Sequence, residues 1–429
     1  MTPAQPADWP PSWYAATAAD APLRPPLSTA EDVDICVVGG GYSGLSCALT
    51  LAEAGHAVTL VEGRRIGWGA SGRNGGQIVN GLNASLDKIG RLYGRGTQAF
   101  VAGLVLEGAE IIRDRVTRYK IACDLKPGNL FAAFTERQMA ELRAKQALWE
   151  SFGIETHQML DRNGIRAHVG TDAYIGGMID HAGGHLHPLN LALGQARAFE
   201  ALGGRIFERS LVERVDAEAQ KPRIQTAAGE IRARTLVLCG NAYLGPVVPS
   251  LDTRILAAST QMIATEPLPD PAAILPTDLC VEDLRYILDY YRLSHDGRLL
   301  FGGGTVYGGS DPADISAKLR PNMLRLFPAL GGVKITHAWS GNIALSFSRV
   351  PQLGRIGANT YFAHGYSGHG VTGSHLFGRI LAEAIQGDLS RFDSFANLPW
   401  TPFPGGRTFR VPYSVLGSWW YGLRDRLGL

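Results

Sequence analysis

The sequence predicts an α/β (α+β) fold, in which a parallel βαβ domain is joined to a domain built on a mixed, largely antiparallel sheet. Residues 33–62 have the pattern of a strand, a helix and a second strand, with a glycine-rich turn before the helix. Residues 255–265 and 286–305 alternate in the way that antiparallel strands do. The 429 residues favour two or three domains, and the 53 glycines exceed the usual share.

Composition argues against several functional classes. The 41 basic residues nearly balance the 39 acidic ones, so nothing indicates a nucleic-acid partner. The five cysteines lack C-x-x-C spacing, and we expect neither a disulfide framework nor a metal site. No apolar stretch reaches the roughly 18–20 residues of a membrane-spanning helix, and residues 1–26 lack the pattern of a secretory signal. We therefore expect a cytoplasmic protein without a transmembrane segment.

The elements can be predicted in chain order. Residues 1–30, rich in proline and alanine, predict an extended arm that Trp9 and Trp13 hold against the body. The elements predicted in the first half are strand Asp34–Val38, helix Ser43–Ala54, strand Ala57–Glu62, a glycine-dense loop over 63–81, and helices over about 84–120 and 135–152. Those predicted in the second half are a helix from His187 to Gly203, strands over 205–215, 223–227, 235–239, 255–265, 286–305 and 361–364, and a helix over His375–Gln386.

The turn after the first strand, Gly39-Gly-Gly41-Tyr-Ser-Gly44, has the pattern G-x-G-x-x-G in the required strand–turn–helix setting. Gly39 permits the tight turn, Gly41 lets the backbone approach a diphosphate, and Gly44 lets the helix pack on the strand. The helix N-terminus offers free N–H groups to the phosphates. Glu62 ends the second strand, where a carboxylate binds ribose hydroxyls and repels a 2′-phosphate. The unit predicts an adenine dinucleotide site.

Two further loops favour FAD over NAD. Residues 67–77 interleave small residues with Arg73, Asn74 and Gln77, which suits a loop that wraps a large flat ligand. Residues 364–372 follow a strand and precede a helix, so their N–H groups can stabilise negative charge at the N1/O2 edge of a reduced flavin. His364 and His369 are either packed loop histidines or take part in the chemistry.

Together these motifs resemble the D-amino-acid oxidase/glycine oxidase family of FAD-dependent enzymes, and within it the branch that oxidises γ-glutamylputrescine. The resemblance covers nearly the whole chain, and it is specific for the branch rather than for the substrate. The segments that carry it are residues 12–17, 39–44, 68–77, 348–352, 365–370 and 402–406.

The resemblance implies a Rossmann-like FAD-binding domain built from discontinuous segments, with a mixed antiparallel-sheet substrate domain over the flavin. The implied segments are the arm (1–30), the FAD-binding domain (31–95, 185–250 and 346–429) and the substrate domain (96–184 and 251–345). No Cys or His lies in 67–77 and no Cys near 364–372, so we expect non-covalent FAD. The expected FAD-binding residues are Gly39, Gly41, Tyr42, Ser43, Gly44, Glu62, Gly63, Arg64, Gly69, Ala70, Ser71, Arg73, Asn74, Gly75, Gly76, Gln77, Val212, Gly240, Gly368, His369, Gly370, Val371 and Thr372.

The implied reaction oxidises the C–N bond of a small-molecule amine by hydride transfer to flavin N5, after which water hydrolyses the imine. O₂ or another acceptor would reoxidise the flavin. The candidates for substrate positioning or flavin stabilisation are Tyr290, Arg292, Arg349 and His369. If Tyr286–Leu293 is a strand, Tyr290 and Arg292 share one face, which either lines the pocket or is half exposed. Arg292 and Arg349 each bind either a substrate carboxylate or a structural acid.

One departure from the family bears on the substrate. Members that oxidise simple amino acids carry an arginine just after a Trp-x-Gly segment, whereas Trp339-Ser-Gly341 is followed by Asn342 and Ile343. This favours an amine with a remote carboxylate, such as γ-glutamylputrescine. A D-amino-acid deaminase or sarcosine-type oxidase stays open, as does a flavin-binding electron-transfer subunit without a substrate of its own.

Overall fold

The structure, a computed structural model, describes residues 9–427. Its α-helices are α1 Trp13–Ala16, α2 Tyr42–Glu53, α3 Leu86–Ala102, α4 Glu107–Arg118, α5 Glu136–Glu150, α6 Arg162–Arg166, α7 Pro188–Ala201, α8 Pro249–Asp252, α9 Ile315–Leu326, α10 Gly370–Ile385, α11 Ser390–Ala396 and α12 Gly406–Leu427. Its strands are β1 Ala30–Val38, β2 Val58–Val61, β3 Gln77–Ile78, β4 Lys126–Ala133, β5 His157–Leu160, β6 Gly176–His185, β7 Arg205–Phe207, β8 Val212–Asp216, β9 Arg223–Thr226, β10 Glu230–Leu238, β11 Ile255–Thr265, β12 Cys280–Asp283, β13 Tyr290–Leu293, β14 Leu299–Tyr307, β15 Ile335–Ser346, β16 Gln352–Ile356 and β17 Thr360–His364.

The first sheet has the strand order β16-β17-β10-β1-β2-β7, and the β8–β9 hairpin extends it from β10. The five strands from β17 to β7 are parallel, and β16 runs antiparallel at the edge. α2, α7 and α10 contribute to the core on one face, while β8, β9 and α8 contribute to the core on the other. Burial on both faces explains why β1 and β2 are nearly continuous apolar runs.

The second sheet has the order β15-β11-β14-β13-β12-β4-β6-β3, with β5 paired to β6. One face packs on α9, where Tyr291, Phe301 and Met323 share a core. The opposite face carries Met262 and Trp339, which belong to the same core as α2 and α10. This face therefore lies against the first domain, and it forms one wall of the region between the two sheets.

Helix α4 packs on the helices of the first sheet. A Cβ on Gly108 would lie 2.4 Å from the Thr372 carbonyl oxygen of α10, which leaves no room for a side chain at the helix crossing. The buried Arg115 guanidinium donates to the Ser46 hydroxyl at 2.8 Å and to the Thr50 hydroxyl at 2.7 Å, both on α2. Helix α4 lies within the segment predicted for the substrate domain (96–184) and packs on α2 and α10, and the division into domains stays a prediction.

The arm is held as the sequence predicted over its described part. The Trp9 indole N–H donates to the Ile66 carbonyl oxygen at 2.9 Å, and the Arg65 guanidinium lies over the Trp9 ring. Trp13 and Tyr14 are fully buried in the main core. The predicted arm residues 1–8 lie outside the described part of the chain.

Three predicted elements differ from the structure. The strand expected over Tyr286–Leu293 begins only at Tyr290, because Arg285 bridges the Asp283 and Asp289 carboxylates and closes a turn. The helix expected from His375 begins at Gly370. The tail after residue 400 forms α12, which the proline and glycine pattern did not predict. No helix between residues 9 and 427 is long and apolar enough to cross a membrane.

Candidate active site

A cleft of about 310 Å³ opens where β1, β2 and β10 end. Such a position, at the carboxyl edge of parallel strands, is where open α/β sheets bind ligands. The predicted cofactor residues that line it are Gly39, Gly41, Tyr42, Ser43, Glu62, Gly63, Arg64, Gly69, Ala70, Ser71, Asn74, Val212, Gly240, Gly368, Gly370 and Val371. The cleft thus collects segments that are far apart in the sequence.

The glycine turn has the shape that a diphosphate requires. Gly39 has a φ of +112°, and a Cβ there would lie 2.8 Å from the Cys239 carbonyl oxygen. A Cβ on Gly44 would lie 1.9 Å from the Gly39 carbonyl oxygen, so only glycine lets α2 pack this closely. A Cβ on Gly41 would point at the Ser71 hydroxyl, 2.9 Å away. The turn and the Ser71 loop therefore form a cradle that a side chain would fill.

The Glu62 carboxylate lies at the next corner of the cleft. Its oxygens accept hydrogen bonds from the Gly40 N–H at 2.6 Å and the Arg64 N–H at 2.8 Å. Burial raises the pKa of Glu62, and these two backbone hydrogen bonds oppose the rise. Because the carboxylate is fixed by the backbone and still lines the cleft, it can accept further hydrogen bonds from ribose hydroxyls.

The loop over 67–77 is held in shape by its own polar side chains. The Asn74 amide donates to the Ala70 carbonyl oxygen and accepts from the Gly76 N–H at 2.8 Å. Arg73 donates to the Ser340 carbonyl oxygen at 3.1 Å and to the Tyr243 hydroxyl. Arg73 therefore ties the loop to β15, and its side chain does not line the cleft as the sequence suggested.

The start of α10 forms the opposite end of the cleft. Gly368 has a φ of +105°, and α10 begins two residues later, so its N-terminus lies beside the lining residues Gly370 and Val371. A helix N-terminus favours negative charge, which suits the edge of a reduced flavin. The Thr372 hydroxyl is instead used within the protein, because it donates to the Val79 carbonyl oxygen at 2.7 Å.

Seven expected cofactor residues do not line the cleft, and their contacts explain why. Gly44 and Gly76 fit against backbone, and Gly75 lies against the Tyr290 ring. The Gln77 amide donates to the Val281 carbonyl oxygen at 3.2 Å. With Arg73 and Thr372, these residues support the walls rather than face the cleft, and His369 lies between two lining residues without being one itself.

Sequence reasoning missed a set of lining residues. Among them, Tyr366 lies under the helix start and its hydroxyl accepts from the Ser43 hydroxyl at 2.7 Å. The missed lining residues are Val38, Val61, Trp68, Leu211, Cys239, Asn241, Tyr243, Leu244, Ile343, Ala344, Tyr366, Ser367 and Ser374. Six of them, Val38, Val61, Cys239, Asn241, Tyr366 and Ser367, lie at or just after a strand end, and that position is the one signal that could have found them.

The structure corrects one substrate candidate. Arg292 is fully buried, and its guanidinium donates to the carbonyl oxygens of Gly75, Leu186 and Leu293 and to the Tyr14 hydroxyl. Because the protein already occupies its donors, Arg292 is not placed to bind a substrate carboxylate. It holds the loop over 67–77 against the second sheet.

The other three candidates lie around the region between the sheets. Tyr290 is half buried against Gly75. Burial lowers the pKa of His369 to about 4, so this imidazole is neutral at physiological pH, and its Nδ1 is buried without a hydrogen-bond partner. Arg349 has a φ of +67° in the turn after β15. Burial raises the pKa of Tyr286, and a hydrogen bond to Arg349 opposes the rise.

Comparison with known proteins identifies the family. The family described as DAO, FAD dependent oxidoreductase, matches residues 34–384. The chain belongs to this family of FAD-dependent oxidoreductases. The family match runs from the first strand of the glycine turn to the end of α10, so it includes every segment of the cleft.

Individual relatives agree with this assignment. The chain is 49% identical to γ-glutamylputrescine oxidoreductase of Escherichia coli K12, over 97% of this chain and 99% of the relative. It is 24% identical to glycine oxidase of Bacillus licheniformis, over 83% and 93% of the two chains. The crystal structure of L-proline dehydrogenase from P. horikoshii has the same fold, with a TM-score of 0.70 at 21% identity over 86% of this chain and 96% of that one. The predicted fold class is confirmed, as is FAD-dependent oxidation of an amine.

The residues present fit FAD. The glycine cradle leaves room for a diphosphate, Glu62 is fixed for ribose hydroxyls, and the N-terminus of α10 lies at the far end of the cleft. FAD supplies a two-electron acceptor when it is bound. The glycine cradle, Glu62 and the start of α10 would hold it, and the face of the second sheet that carries Met262 and Trp339 lies on one side of the site.

Proposed function

We propose that the protein oxidises γ-glutamylputrescine, or a similar amine with a carboxylate at its far end. The observation that supports this most is the 49% identity to γ-glutamylputrescine oxidoreductase, which extends over 97% of the chain. The small-molecule amine loses a hydride from the carbon next to nitrogen, and water then releases the carbonyl product. The electron acceptor, O₂ or another, and a cytoplasmic location are parts of the same proposal.

The lining of the cleft supports a remote carboxylate. Ile343 and Ala344 line the cleft on β15, in the segment where amino-acid oxidases of the resemblance carry an arginine. Arg349 lies farther along the chain, next to Tyr286. The Arg349 charge also lowers the pKa of Lys88 on α3, after the larger effect of burial. These two cations form a positive region that suits the carboxylate end of an extended substrate.

An anaerobic reduction series tests the proposed function. We expect γ-glutamylputrescine to bleach the flavin of the purified protein, and glycine, D-alanine, sarcosine and NADPH to leave it oxidised. Arg349→Gln should raise the concentration of γ-glutamylputrescine needed for half-saturation about tenfold. The half-saturating concentration of putrescine should stay unchanged, since putrescine has no carboxylate. Arg137→Gln, an exposed change on α5, is the control.

Each other outcome favours a different function. Bleaching by D-alanine or sarcosine in place of γ-glutamylputrescine would favour an amino-acid deaminase or a sarcosine-type oxidase. Bound flavin that no amine reduces would favour an electron-transfer subunit. Equal effects of Arg349→Gln on both substrates would remove Arg349 from carboxylate binding.

A further inference from the structure

The Glu282 carboxylate on the second sheet lies near the loop over 67–77 and takes no part in the site described so far. Glu282 on β12 pairs directly with Phe131 on β4 and with Tyr290 on β13. Directly opposite residues point to the same face of a sheet and lie about 5 Å apart. The Tyr290 ring meets Gly75, where a Cβ would lie 2.7 Å from it. Glu282 is therefore one strand away from the wall of the loop over 67–77.

A lysine from α5 reaches the same face. The Lys145 ammonium lies 3.8 Å from the centroid of the Phe131 ring and 5.3 Å from that of Trp149. Within residues 9–427, Lys145 has no hydrogen-bond acceptor and no ion-pair partner within 4.0 Å. Burial lowers its pKa, and the charges of Glu282 and Asp180 oppose this. A cation and a carboxylate thus face a shared region without closing an ion pair.

This region reaches the flavin end of the cleft. His369 stands between the lining residues Gly368 and Gly370, and the Lys145 charge lowers the pKa of its imidazole, second to burial. The buried His369 Nδ1 has no hydrogen-bond partner among the described residues. A buried polar atom without a partner, near a lysine that forms no ion pair with the carboxylate, indicates that a polar group of a ligand completes the arrangement. The Asn129 side chain hydrogen-bonds to Glu282 and lowers its pKa, and the carboxylate oxygens can accept further hydrogen bonds.

We propose that the Glu282 carboxylate receives the ammonium group of the amine substrate and accepts its proton, while Lys145 acts as a positioning charge. The proposal rests on the proposed function, since it assigns a residue to amine oxidation. Glu282 is buried and retains 9% of its surface exposure.

The chemistry requires such a group. An alkylammonium has a pKa of about 10 and offers no lone pair, so the amine must lose a proton before its C–H bond can be oxidised. The N–H bond breaks, its electrons stay on nitrogen, and the proton forms an O–H bond on Glu282. Bound FAD would then take the hydride from the carbon next to nitrogen, and water would hydrolyse the resulting imine to an aldehyde and ammonia.

The surroundings of Glu282 suit a proton acceptor. Burial raises its pKa to about 7, and Lys145 lowers it from a still higher value. Transfer from a bound ammonium converts two buried charges into two neutral groups, which a low-dielectric site favours. The titratable groups around Glu282 and Lys145 are Cys280 and Asp283 on the same strand, Tyr290 on β13, Asp180 on β6, His157 on β5 and His369 before α10.

The test measures anaerobic flavin reduction by γ-glutamylputrescine between about pH 6 and pH 10. For the unmodified protein we expect the rate to rise around pH 7, where Glu282 loses its proton. Glu282→Gln should reduce the rate about 10²-fold or more and remove that rise, with the remaining rate increasing toward the pKa of the free amine. FAD content and thermal midpoint should stay unchanged.

Two further variants keep the proposal open to refutation if Glu282→Gln folds poorly. Lys145→Met should move the rise to higher pH, because it removes the charge that lowers the Glu282 pKa. Glu141→Gln, an exposed change on the same helix, should leave the profile unchanged. An unmoved profile in Lys145→Met, or a rate loss in Glu282→Gln no larger than its loss of FAD, would overturn the proposal. If no amine reduces the unmodified protein, the proposed function fails as well.

Discussion

At the scale of single residues, Gly41 leaves open the space in front of Ser71 that a diphosphate would occupy. Gly41 has a φ of −87°, so a larger residue could adopt its backbone conformation, and the obstacle is space alone. We predict that Gly41→Val lowers FAD content about tenfold, because the side chain would occupy the cradle in front of Ser71. The ratio of flavin to protein absorbance measures it. Gly96→Val, which meets nothing within 4 Å, is the matched control, and a fully yellow Gly41→Val protein would refute the placement.

The contacts of Arg292 indicate a structural role rather than the binding of a substrate carboxylate. Its donors satisfy three buried carbonyl oxygens, including that of Gly75. We predict that Arg292→Lys lowers the free energy of unfolding by about 2–3 kcal/mol, because the shorter side chain leaves acceptors without donors. Urea denaturation measures it, with the exposed Arg91→Lys as control. If stability held while substrate half-saturation weakened, Arg292 would be a carboxylate anchor after all.

At the scale of elements, the crossing of α2 and α10 holds the cleft together. Both helices begin at the cleft, with Ser43 and Gly370 among its lining residues. They approach so closely that a Cβ on Gly378 would lie 2.6 Å from the Ser46 Cβ and 2.7 Å from the Ser43 carbonyl oxygen. Glycine at a helix crossing therefore sets the distance between the diphosphate turn and the flavin end.

This crossing gives an element-scale prediction. Gly378→Leu should separate the two helices, cost about 1–3 kcal/mol of stability and lower FAD affinity, because both helix N-termini move. Isothermal titration of the apoprotein with FAD measures the second effect. Gly417→Leu on α12, which meets nothing within 4 Å, should change neither quantity. Unchanged FAD affinity in Gly378→Leu would show that the helix starts do not depend on the crossing.

At the scale of the whole molecule, buried neutral histidines connect folding to pH. Burial lowers the pKa values of His185, His187, His364 and His375 to about 3 each, from an ordinary 6.5. These histidines lie on different elements of the fold, so all four become exposed only when the whole chain unfolds. Below about pH 6.5 the unfolded chain binds protons that the folded chain does not, and stability falls as pH falls.

We predict a measurable acid sensitivity from this difference. Each such histidine should contribute a slope of up to about 1.4 kcal/mol per pH unit between pH 6.5 and 3. Urea denaturation at about pH 7 and pH 5 measures the slope. His375→Gln should reduce it by one histidine's share, whereas His181→Gln, an exposed change, should not. Equal slopes in the two variants would contradict the assignment of His375 as buried and neutral.

Local chemistry accounts for what the sequence determined. The glycine turn, Glu62 and the βαβ unit of β1, α2 and β2 follow from spacing within about thirty residues, where covalent connection fixes which groups can meet. These features predicted the fold class and the dinucleotide turn. The family resemblance extended them to the discontinuous domains and to amine oxidation.

The features that the sequence did not predict depend on long-range contacts. Residue type and charge are the same whether a side chain faces a ligand or a backbone carbonyl, so the sequence does not distinguish the two. Only the tertiary structure shows that Arg292 is enclosed by backbone oxygens, that α4 packs on the helices of the first sheet, and that Tyr243 lines the cleft from beyond β10. It also brings Lys145 on α5 beside Glu282 on β12. Sequence patterns give information only on residues that are close in the chain. Burial sets the pKa of groups such as Glu282 and Lys145, and it depends on how the whole chain packs.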